Sequence, residues 1–146
     1  KRGPKGRRPN VAPHRESVQA ELQPAELRHE AQDRILWAVG TYHYPFLVPM
    51  VEEVAARADV SMPMGYDEPT EEPGGDWTLL TDSGAFHVAG IPFIYLGVDF
   101  HPHYHQPTDT YENMTLDFFQ DASAAILDFA READERLDEI GEAAGR

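Results

Sequence analysis

His101, His103 and His105 fall at alternate positions in the run DFHPHYHQPTDTYEN, with Asp99 before them and Asp109 after. In an extended segment, alternate side chains point to one side. Neutral imidazole is a preferred zinc ligand, and a nearby carboxylate commonly orients it through its second ring nitrogen. A hydrolytic metal centre is one chemistry open to such a segment. A solvated loop is the plain alternative, and spacing alone does not separate the two. The chain has no cysteine, which excludes thiolate metal sites, disulfides and cysteine nucleophiles together. A metal here must be held by His, Asp or Glu, ligands that suit zinc.

Other reactive residues carry weaker signals. His43 lies in GTYHYP, just past an apolar run; from a strand end it either approaches the site or packs in the loop. Glu52 and Glu53 are adjacent acids inside a helical pattern, where such a pair is ordinary on a solvated face. They are not read as a catalytic pair. His87 is expected to pack or cap a short helix, and Trp77 to bury its ring.

The elements around these residues read as alternating strands and helices. ILWAVG (35–40) is a short apolar run ending in Gly, as a buried strand does. Over residues 46–58, Leu47, Met50, Val51, Val54 and Ala58 recur at helical spacing, with Pro45 and Pro49 near the start. VSMPMGY gives a second strand, and the acidic Pro/Gly-rich stretch 67–76 a surface loop. TLL (78–80) reads as a brief strand, and SGAFHVAG (83–90) as a short helix closed by Gly90. IPFIYLGV (91–98) is continuously apolar, the pattern of a strand buried on both faces. Thr115 then caps a long helix whose core face is Leu116, Phe119, Ala122, Ile126, Phe129, Ala130 and Ala133. This order predicts an α/β fold with a mostly parallel sheet flanked by helices. Sites in such sheets form beyond the carboxyl ends of the strands, which points at residues 99–113.

Composition changes along the chain of 146 residues, long enough for one domain with a core. Residues 1–34 form an irregular basic segment with eight Lys or Arg against five acids and several Pro and Gly. Residues 35–146 carry four bases against 21 acids, a net of −17, which repels nucleic-acid phosphates. No apolar run is long enough to span a bilayer, and no apolar stretch follows the basic start as in a signal peptide. Neither a nucleic acid nor a membrane is an expected partner. Residues 138–146 form a charged tail, expected to fray.

The run TDSGAFHVAGIPFIYLG followed by YHQPTDTYEN resembles the closing motifs of the bacterial zinc aminopeptidase family, whose relatives include glutamate carboxypeptidases and glutaminyl cyclases. The matching pieces are Asp82, Phe86, Ala89-Gly90-Ile91-Pro92, Tyr104-His105 and Asp109-Thr110. WAVGTYHYP followed by a helix is also similar. The likeness covers about residues 35–137, read as the C-terminal half of a zinc-exopeptidase-like α/β domain, incomplete in this chain. The resemblance implies two zinc ions sharing a water, a glutamate general base, and hydrolysis of the N-terminal bond of a peptide or protein substrate. It makes His105 the terminal histidine ligand of one zinc. Asp109 would fix the loop after the ligand, while Tyr104 and Asp82 support it. His101, His103 and His43 are secondary metal or site-proximal candidates.

Ser83 departs from the pattern, standing where the family usually has a histidine after the aspartate. The family's other histidine, bridging aspartate, glutamate pair and further aspartate have no convincing match, so no catalytic residue is assigned. Glu26 and Glu30 stand near the place of the last acid without its usual surroundings. A fragment, an upstream reading-frame error or an inactive relative would each give this pattern. Two other classes remain as alternatives: an acidic protein-interaction module, and a histidine loop that sequesters metal. A half-domain also exposes surfaces through which it would self-associate.

Overall fold

The computed structural model describes residues 30–145. The basic segment through residue 29 lies outside them, together with His14, Glu26 and His29. The described elements are strand β1 (Trp37–Val39), helix α1 (Val48–Ala55), helix α2 (Ser83–Val88), strand β2 (Tyr95–Gly97), helix α3 (Leu116–Glu135) and helix α4 (Leu137–Ala143). Their succession is the expected α/β one. No described helix is long and apolar enough to cross a membrane.

The sheet differs from the expected parallel arrangement. β1 and β2 pair antiparallel, Trp37 opposite Gly97 and Val39 opposite Tyr95. Among the described residues, parallel pairing is confined to isolated bridges to the segment expected to be the second strand, from β1 at Ala38–Met64 and from just before it at Ile35–Ser61. Four backbone bonds alternate across it: Ser61 N to Arg34 O, Leu36 N to Ser61 O, Ala38 N to Pro63 O and Gly65 N to Ala38 O. The rung missing from this series would need an N–H on residue 63, and proline has none. IPFIYLGV also behaves differently from its pattern. Only its last part is a strand, and Tyr95, Leu96 and Gly97 are half-buried rather than covered on both faces. TLL forms a turn, with Leu80 N donating to Trp77 O.

β1 ends at Gly40, whose φ of 126° places it where only glycine is comfortable; an added Cβ would overlap the Phe93 carbonyl oxygen. The chain then turns through Pro45–Leu47 into α1, where Leu47, Met50, Val51 and Val54 are buried as the spacing predicts. Pro49 sits in the first turn, where its missing N–H costs nothing.

α3 meets the core through Ala122 and Phe129 as expected, but is turned so that Phe118 and Ala125 join them. Phe118, Ala122 and Ala125 are buried, and Phe129 packs beside them against Leu36, Val54, Val60 and Met62. Leu116, Phe119 and Ile126, expected inside, are exposed. Thr115 occupies the cap position without a side-chain cap bond. The tail continues as α4.

Ion pairs fasten α1 to α3. The Arg57 guanidinium reaches Asp128 and Glu132, each at 2.5 Å, and Arg136 pairs with Glu53 and with Glu132. The hydrogen bond from Arg57, followed by that from Arg136, holds the Glu132 carboxyl below its ordinary value of 4.5. A depressed folded-state value means the contribution is present above pH 4.5 and is lost as pH falls through the lower folded value. We expect the urea midpoint to fall in that acid window, and Glu132→Gln to flatten the fall. Urea melts from pH 7 to pH 3 check this, and equal slopes in the two proteins would remove Glu132 as the cause. The effect is small, because the groups are partly exposed and screened by salt.

Candidate functional site

Residues 98–113 leave β2 and fold back over the start of β1. Asp99 anchors them. Its Oδ1 accepts from the Phe100 N–H at 2.7 Å and its Oδ2 from the Tyr66 hydroxyl at 2.9 Å. Its own N–H donates to Glu30 Oε2 at 2.6 Å. Glu30 Oε1 accepts from the Trp37 indole N–H at 2.8 Å. Glu30 is only 3% exposed, so these two donors are what make a buried carboxylate tolerable. Behind them, Tyr66 meets Trp37 edge-on and stacks on Trp77 at 4.1 Å.

A cavity of about 310 Å³ opens beside this network. Glu30, Asp99, Asp109, His101 and His103 line its polar side; Ala31, Val98, Met114 and Phe119 line its apolar side. Acids and imidazoles over an apolar floor suit a cationic or metal-bound group joined to an apolar one.

The loop is a succession of turns, not an extended strand. Tyr104 N donates to His101 O, Gln106 N to His103 O and Asp109 N to Gln106 O. Pro102 occupies the second position of the first turn, where its fixed φ fits. His101 and His103 still share the cavity, with ring centres 6.4 Å apart, and His103 Nδ1 lies 3.0 Å from Thr108 Oγ1. His105 is exposed, has a left-handed φ of 54°, and stacks on Tyr104 at 4.0 Å. Tyr104 in turn leans on Phe100. Asp82 is exposed at the start of α2, where its carbonyl accepts from Ala85 N.

His43 belongs elsewhere. Because β1 and β2 run antiparallel, residues after Val39 emerge at the end where Tyr95 enters, opposite the end where Asp99 leaves. There His43 meets His87 and Thr78. Glu52 and Glu53 are exposed on α1, with Glu53 paired to Arg136. Glu30 and Tyr66 are the site residues the sequence reading left without a role. Their partners lie far along the chain, 69 residues for Glu30–Asp99, and no local pattern marks them.

The profile of peptidase family M28 matches residues 31–130. The chain belongs to peptidase family M28. No curated protein matches it, and no solved structure does. The M28 domain is thus of a metallopeptidase, hydrolytic kind; His105, Asp109 and every residue lining the cavity except Glu30 lie within the matched stretch.

M28 peptidases generally depend on zinc, and the described residues do not fit that role by themselves. Among the described residues, no group of three or more His, Cys, Asp or Glu is placed to hold a metal, whereas a catalytic zinc takes about three protein ligands. In the M28 domain His105 stacks on Tyr104, and Glu30 is committed to Trp37 and Asp99.

Proposed function

We propose that the intact protein is an aminopeptidase-type M28 enzyme hydrolysing N-terminal peptide bonds, and that residues 30–145 alone carry its substrate-side cavity without a working two-zinc centre. The match over residues 31–130 carries this reading. The cavity supports it: Asp109 and Asp99, with the charge of buried Glu30 behind them, favour a protonated peptide α-amine, and Val98, Met114 and Phe119 complement an apolar first side chain. His105 is the ligand that the family motif supplies. Asp109 and Tyr104 hold its loop, and the remaining ligands come from outside the described residues.

Elemental analysis of the purified 146-residue chain, dialysed against trace zinc, tests the metal part. We expect little retained zinc and no release of amine from aminoacyl anilides. About two tightly held ions per chain, the number in a two-metal centre, would overturn the incomplete-centre reading and move attention to residues before Glu30. For weakly bound zinc, His105→Ala is expected to reduce affinity at the loop more than His101→Ala or His103→Ala. Equal losses from all three would favour a loop that only sequesters metal. The acidic body, net −17 over residues 35–146, favours a second reading as a module for a basic protein partner; full zinc loading with hydrolysis would dismiss it.

A further inference from the structure

At the end of β1 remote from the cavity, two imidazoles face one another. The rings of His43 and His87 have centres 4.6 Å apart and are tilted by 52°. Each is held through one nitrogen only. His43 Nε2 lies 3.1 Å from the hydroxyl of buried Thr78. His87 Nδ1 lies 2.9 Å from the Tyr44 hydroxyl, which also reaches the Ile91 carbonyl at 3.3 Å. Among the described residues, His43 Nδ1 and His87 Nε2 have no hydrogen-bond partner, although both residues are half-buried. Fixing one ring nitrogen by an outer hydrogen bond is the usual way to orient an imidazole that ligates a metal through the other.

We infer that His43 and His87 form a two-histidine site for a divalent cation of the zinc, nickel or copper class, clipping the loop after β1 to α2. Two imidazoles on one tetrahedral ion, with bonds of about 2.1 Å, hold their ring centres about 5 Å apart. The observed 4.6 Å is close to that. Imidazole ligands select this class of ion over calcium or magnesium. Among the described residues no third His, Cys, Asp or Glu joins the pair, so water completes the coordination and the ion exchanges readily. Dialysis therefore removes it, and it does not enter the count of tightly held zinc above. The site is also separate from the His101–His105 loop, because the antiparallel sheet lies between them.

The test uses the full 146-residue chain and Cu2+ added below stoichiometry, read by broadening of imidazole NMR signals. Signals lost or shifted in His43→Gln and His87→Gln identify the pair. The His43 and His87 signals are expected to broaden together. Each single variant should weaken Ni2+ binding at this site at least about tenfold, while the triple variant His101→Gln/His103→Gln/His105→Gln leaves it in place. Sharp His43 and His87 signals beside a broadened loop would overturn the site, as would its loss in the triple variant. Should the single variants not fold, Zn2+ protection of His43 and His87 against diethyl pyrocarbonate is measured on the unaltered chain by peptide mass mapping. Protection of both supports the site, and modification of both at the metal-free rate ends it.

Discussion

Trp77→Ala is expected to lower the unfolding free energy by about 3–5 kcal/mol, the range for removing a buried large aromatic side chain. Trp77 is fully buried. Its ring stacks on Tyr66 and meets Tyr95 edge-on, and its indole N–H donates to the Gly74 carbonyl at 2.7 Å. The truncation therefore removes aromatic contacts worth more than their area and orphans a carbonyl. A domain of this size commonly has a total stability of about 5–15 kcal/mol, so the variant approaches the unfolding threshold. Tyr66 would lose its stacking partner, and with it the position from which its hydroxyl holds Asp99. Thermal melts measure the loss, and Trp77→Phe should recover part of it. A loss under about 1 kcal/mol would show that the Tyr66–Trp77–Tyr95 stack contributes little.

Asp67→Ala is expected to cost about 2–5 kcal/mol, from two buried or half-buried amides left without an acceptor. Asp67 is 2% exposed. Its Oδ2 accepts from Gly40 N at 2.7 Å and Tyr42 N at 2.8 Å, with the Thr41 hydroxyl at 3.4 Å. One carboxylate oxygen thus ties the loop after β1 to the first residue of the acidic stretch. Amide hydrogen exchange at Gly40 and Tyr42 should quicken along with the fall in stability. Asp67→Asn keeps an acceptor and should fall between the two. If Asp67→Ala left exchange at both amides unchanged, the loop would be held by other contacts. This loop also carries His43, so Asp67→Ala is expected to disturb the His43–His87 pair without touching either ring.

Several of these features were legible along the chain. α1 could be read because its apolar residues form one stripe, and only one face was available to bury. α3 was legible only in part, because it has two overlapping stripes: Ala122 and Phe129 reach the core as expected, but Phe118 and Ala125 accompany them instead of Leu116, Phe119 and Ile126. Both satisfy helical spacing, and only packing against Leu36 and Val54 decides which goes inside. Strand direction was hidden for a related reason. Apolar runs show where strands lie, while pairing depends on contacts between distant segments. Pro63, by contrast, marked in the sequence itself the rung its backbone would break. In the candidate site, Pro102 between two of the histidines was the available sign that the loop would turn rather than extend. Nothing local showed that Glu30 would be drawn under Trp37 and Asp99, since a buried acid is defined by donors that arrive from elsewhere.

The antiparallel pairing of β1 with β2 also bears on when the molecule can form. The two strands are separated by about 60 residues of chain, a loop whose closing entropy must be overcome before any rung is made. The links from Arg57 to Asp128 and Glu132 span 71 and 75 residues. These particular links wait on segments far along the chain, which favours their late formation. During synthesis, β1 and α1 would leave the ribosome with their apolar faces open until β2 and α3 followed. For that interval, occupancy by a chaperone rather than native stability would govern how much protein survives to fold.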